Sequence, residues 1–107
     1  MSTQTSTLDR LQRLTVIYRQ GYHSDVVDRT LQKIIALENA QARQELTAIE
    51  ARLVAFEQEY QMSSGDFAQR FRAGELGDEA GFFEWSAFCD MAESLRERLQ
   101  LLEIKAA

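Results

Sequence analysis

From Ser24 to Gln61 the chain contains neither glycine nor proline, and Ala, Leu, Glu, Gln and Arg dominate the run. These residues lose little side-chain freedom in a helix, and no proline removes a backbone donor. The segment predicts one continuous helix over 24–61. At a rise of ~1.5 Å per residue such a helix extends ~57 Å, more than a compact domain of this size encloses. Part of it must protrude or pair with another helix.

The apolar spacing indicates what it pairs with. Ile35, Asn39, Ala42, Leu46, Ile49, Leu53, Phe56 and Tyr60 follow alternating steps of four and three, the seven-residue pattern that keeps one seam facing a neighbouring helix. A second seam, Trp85, Phe88, Ala92, Leu95, Leu99 and Leu102, has the same steps and predicts a return helix over 79–104. Between them, Gly65 and the run Gly74-Glu-Leu-Gly-Asp78 interrupt the pattern. A short helix over 64–73 fits there, with Ser63 or Ser64 as its cap. The fold expected is all-α: a long antiparallel helical hairpin, coiled-coil-like, with 64–73 at its tip.

Upstream, Leu8, Leu11, Leu14 and Ile17 recur every third residue and predict a short helix over 7–20 ending at Gly21. Ser24 is the natural N-cap of the long helix, with Asp25 and Asp28 at the positive end of its dipole. Residues 1–6 are small and polar and are expected to be disordered. The whole is expected to form a single helical domain, with the N-terminal helix folding back on Leu31 and Ile34. Those two residues and Asn39 are also the expected oligomer seam, since a core this thin invites a homodimer; a buried Asn39 amide would fix register or oligomer state, and a frayed or solvent-facing turn is the other reading of that residue.

Composition excludes several functions. A net charge of −5 opposes a protein that coats nucleic acid, whose affinity comes from cations on phosphate; Arg10, Arg13 and Arg19 near Tyr18 leave DNA binding unlikely for this chain by itself. No stretch has the ~18 apolar residues of a membrane span, and the N-terminal segment lacks a signal-peptide core. With a single cysteine, Cys89, no internal disulfide forms; a cytoplasmic location is the expectation. His23, Asp25 and Asp28 resemble a metal-ligand run, yet the acids are explained by the helix start, and His23 is the only histidine. No catalytic, cofactor or metal residues are assigned, and enzyme activity is not expected.

What remains is the tip. Phe56, Tyr60, Phe67, Phe71, Phe82, Phe83, Trp85 and Phe88 crowd into one third of the chain and cannot all face one two-helix seam. They form either a local core or a partly exposed anchor for a protein partner. In the second case Phe82, Phe83 and Trp85 make the contact, and Glu75, Asp78 and Glu84 form an acidic rim.

The same segment carries a resemblance. Met62-Ser-Ser-Gly-Asp-Phe67, Arg70-Phe71, Gly74-Glu-Leu-Gly-Asp78 and Phe82-Phe-Glu-Trp85 through Met91 resemble a family of small bacterial proteins, frequent in cyanobacteria, that read MSSxxF, RFxxGELGD and FFEW after an Arg/Glu-rich helix. The family looks like the antitoxin component of type II toxin–antitoxin pairs. The resemblance covers about residues 20–102 and implies a cytoplasmic protein that neutralises a basic toxin, encoded nearby, by direct contact. Gly81, where the family more often has an acid, is a departure expected to weaken the start of the last helix. The alternative function is a self-assembling coiled-coil scaffold or adaptor, for which Asn39 rather than the tip is decisive.

Overall fold

The structure, a computed structural model, describes residues 3–103. Among these there are four helices and no strand: α1 (Thr3–Arg19), α2 (Asp25–Tyr60), α3 (Ser64–Arg72) and α4 (Ala80–Leu102). The expected all-α fold is observed. The chain separates into two compact units, Met1–Lys33 and Ile34–Ala107, so the beginning of α2 belongs to the first and the rest of it to the second.

Three helix ends share one device. After α1, Gly21 takes φ 97°; its N–H reaches the Tyr18 carbonyl, and the Tyr22 N–H reaches that of Ile17. This is the paired wrap that satisfies the orphan carbonyls of a last turn. Gly74, at φ 74°, ends α3 in the same way, with Gly74 bonded to Phe71 and Glu75 to Arg70. At the end of α2 the left-handed position falls to Gln61, at φ 52°, while Met62 N–H bonds the Glu57 carbonyl at 3.3 Å. Its side-chain amide donates back to the Gln58 carbonyl at 2.7 Å.

In the first unit α1 begins at Thr3, earlier than the expected Thr7. The expected disordered segment 1–6 is therefore helical from residue 3; residues 1 and 2 lie outside the described residues. Ser24 caps α2 as expected, its hydroxyl accepting from the Val27 N–H at 3.4 Å. Tyr18 ties the corner. Its phenol donates to Asp28 Oδ1 at 2.8 Å, lies 3.0 Å from the Ser24 carbonyl and accepts from the Ser24 N–H at 3.1 Å. Partial burial, and then the hydrogen bond to the Asp28 carboxylate, raise its pKa above the ordinary 10.0. None of residues 6–33 is buried.

The second unit is the antiparallel hairpin. Arg43 and Asn39 meet Glu103, Glu50 meets Arg96 at 3.2 Å, Arg52 meets Glu84 at 3.3 Å, and Phe56 meets Phe88 and Trp85. The order of partners reverses along the two helices, except that the long side chain of Arg52 passes over Phe88 to reach Glu84. Among the described residues, all the buried ones are here: Ala42, Ile49 and Leu53 from α2, Phe67 from α3, and Trp85, Ala92, Leu95 and Leu99 from α4. Both α2 and α4 place an alanine in this seam, Ala42 at 2% and Ala92 at 0% exposure; small side chains at these points let helix backbones come close.

Within this unit Ile34, Ile35 and Leu37 remain exposed, Leu37 at 61%. Ile35, expected on the seam, is therefore outside it: the pairings with α4 begin at Asn39, opposite Glu103. The expected end of the return helix at Ile104 lies outside the described residues.

Candidate functional site

The tip is built on one indole. Trp85 is fully buried and stacks face to face with Phe67 of α3, centroids 3.9 Å apart and planes within 5°. Phe56 and Tyr60 of α2 also stack on it, each at 5.6 Å. Three helices thus converge on a single ring. Its N–H donates to Ser64 Oγ at 3.0 Å, and the Ser64 N–H in turn donates to Glu57 Oε2 at 2.8 Å. A buried indole needs such a partner. Of the two serines expected to cap α3, Ser63 does so, accepting from the Asp66 N–H at 3.1 Å, while Ser64 serves the tryptophan.

The expected contact aromatics are therefore divided. Trp85 belongs to the core and offers nothing to a partner, which corrects its assignment to the docking surface; a ring held by three helices has no free face. Phe82 is half-buried against Tyr60 at 5.1 Å and Phe67 at 5.6 Å. Only Phe83 stands out, 57% exposed, its ring edge-on to Phe71 at 5.5 Å and 87°. One helical position separates Phe82 from Phe83, and about 100° of rotation sends them to different sides.

The acids differ as well. Glu84 is exposed but paired with Arg52, whose guanidinium also lies 5.2 Å over the Phe88 ring. Glu75 and Asp78, on the loop between α3 and α4, are exposed and hold no ion pair among the described residues. Glu75 shares a polar notch of about 300 Å³ with Asp66, Gln69 and Arg70.

Gly81 has a positive reason to be glycine. A Cβ there would sit 2.8 Å from the Tyr60 hydroxyl, which also donates to Glu79 Oε2 at 3.4 Å. Burial first, then the charges of Glu59 and Glu79, raise the pKa of that phenol above its usual value. The expected weakening of the helix start does not displace it: α4 begins at Ala80 and runs through Gly81, with Glu79 at the cap position making no side-chain cap bond.

The other sequence candidates resolve simply. Asn39 is half-buried at the hairpin's open end, donating to Glu103 Oε1 at 3.3 Å and accepting from Arg43 Nε at 2.8 Å; its amide is engaged within the chain. Leu31 is half-buried in the first unit, and Ile34 is 47% exposed in the second. Ligand atoms of His23, Asp25 and Asp28 lie within 4.8 Å of one another. His23 Nε2 pairs with Asp28 at 2.7 Å, Tyr18 binds the same carboxylate, and both acids occupy the first turn of α2, where the helix dipole favours anions and opposes a cation. Cys89 packs against the hairpin core, and burial pushes its thiol up, away from the reactive thiolate.

The roles of Ser64, Glu57 and Arg52 were not read from the sequence. Ser64 lies in a capping motif that explains it locally, and the other two act on residues distant in the chain. No described helix is long and apolar enough to cross a membrane. No protein-family model, curated protein or solved structure matches this chain.

Proposed function

We propose that this chain is a protein-binding module, antitoxin-like in action, whose hairpin tip covers a basic surface on a toxin partner. The observation that carries the reading is Phe83, a large exposed aromatic held on a rigid stack through Phe71. Interfaces draw most of their energy from few such anchors, which lose little entropy on binding when already fixed. Charge supplies the sign of the partner. Residues 1–33 hold Arg10, Arg13, Arg19, Arg29 and Lys33 against Asp9, Asp25 and Asp28, a net of +2, which leaves −7 of the total −5 on residues 34–107. An acidic surface speeds encounter with a basic one and suppresses acidic competitors.

Co-expression with the product of the adjacent gene tests this. Relief of toxicity with co-purification is expected, and Phe83→Ala should weaken the complex by about tenfold or more. A toxicity that is unchanged, with nothing co-purifying, defeats the reading.

A further inference from the structure

We infer that the first unit carries a second docking site, of opposite polarity to the tip, which accepts an acidic amphipathic helix in the apolar groove between α1 and the beginning of α2. Leu11, Leu14 and Tyr18 from α1 and Val27 and Leu31 from α2 line this groove, together with the exposed Arg19; its volume is about 400 Å³. A groove of this kind takes the apolar face of a helix through anchors at positions i, i+3 or i+4, and i+7.

The need for an occupant follows from burial. In the first unit every described apolar side chain stays at least partly open, Leu8 at 60%, Leu11 at 46% and Val26 at 74%. A unit this short supplies too little apolar burial for its own stability without a staple or a partner.

The chemistry of the occupant follows from charge. Arg10, Arg13 and Arg19 hold no ion pair among the described residues, while the three arginines of the hairpin seam, Arg43, Arg52 and Arg96, are all paired. Of the unit's acids, Asp28 is held by Tyr18 and His23, Asp25 lies in the first turn of α2, and Asp9 is the single acid on α1, beside Arg13 and away from the groove, against three arginines on that helix. The field over α1 is positive, so carboxylates flanking an apolar stripe complete it and ammonium groups are repelled. Two copies of α1 face to face would bring arginines together. Phosphate is disfavoured because the groove presents leucine, valine and tyrosine where a phosphate site presents clustered donors.

The test uses the full chain and two synthetic helical peptides of about five turns, with leucines at i, i+3, i+4 and i+7 and either glutamates or lysines on the flanks. The glutamate peptide is expected to bind saturably and to shift the amide resonances of Leu11, Tyr18 and Leu31, about tenfold more tightly than the lysine peptide at low salt. Arg19→Glu should reduce or reverse that preference, and Leu11→Asp, at an exposed position, should abolish binding while leaving the helical circular dichroism intact. Three results overturn the proposal: no saturable binding of the glutamate peptide; equal binding of both peptides; or a concentration-dependent dimer in light scattering, lost in Leu11→Asp, which assigns the groove to a second copy. Phe83→Ala should leave peptide binding unchanged and Leu11→Asp should leave toxin binding unchanged, so this site and the tip stand or fall separately.

Discussion

The two units are made from similar helical material with different results. In the first, α1 and the start of α2 present Leu11, Leu14, Ile17, Tyr18, Val27 and Leu31, yet none is buried. In the second, residues of the same kinds reach single-digit exposure. Two features separate them. The hairpin places buried alanines, Ala42 and Ala92, on both sides of its seam, whereas the groove of the first unit is lined by long side chains, with a tyrosine bonded across the turn. The hairpin also has a third element, α3, which closes its end over Trp85. Apolar content alone does not make a core; the unit that closes has small residues on its seam and a third element stacked over its end.

Substitutions sharpen this contrast. The largest effect is expected at Trp85→Ala, which removes the ring that three helices share; a loss of about 3–5 kcal/mol is anticipated, read as a lower urea midpoint. Leu11→Ala in the first unit, at a half-open position, should cost about 1 kcal/mol or less. If the two costs are equal, the contrast between the units is wrong.

Next comes Gly81→Ala. The new Cβ meets the Tyr60 hydroxyl, whose ring is wedged between Phe82 and Trp85, so a net destabilisation of about 1–2 kcal/mol is expected despite the better helix propensity of alanine. Adding Tyr60→Phe removes the clashing oxygen and should recover most of the loss. Thermal melts of the two variants measure this, and no recovery would place the cost elsewhere.

A smaller gain is expected from Gln61→Gly. Its left-handed backbone is costly for a side chain and free of strain for glycine, so stability should rise by about 0.5–1 kcal/mol, less whatever the Gln61 bond to Gln58 contributes. Denaturant titration gives the sign directly.

The smallest effect concerns pH. Hydrogen bonds from Asn39 and Arg43 hold the Glu103 carboxyl below its ordinary value. The folded value is thus lower than the unfolded one of ~4.3. The stability this group adds is fully present above the unfolded value and is lost as pH falls through the folded value. A Glu103→Gln variant should be slightly less stable than the parent at neutral pH, and the difference should vanish under acid conditions. A difference that persists in acid would assign the effect to packing.

Much of the fold was legible because it is local. The glycine- and proline-free run predicts α2 to within a residue at each end, the two seams predict the hairpin, and Gly21, Ser24 and Ser63 mark ends through bonds to residues three to five positions away. Little of the site was. Phe82, Phe83 and Trp85 are equivalent in composition, and their separation into half-buried, exposed and fully buried depends on where Phe67 and Tyr60 arrive from other helices.

The amino-acid sequence by itself determines which segments are helical, where they stop and which stripe of each is apolar, since propensity, capping and periodicity act over a few residues. Tertiary structure alone decides which of those stripes closes. That Trp85 is enclosed and Phe83 is not, that the Tyr60 hydroxyl crowds position 81, and that the groove of the first unit stays open are outcomes of contacts between helices. Their angles and separations are set by side chains distant in the chain.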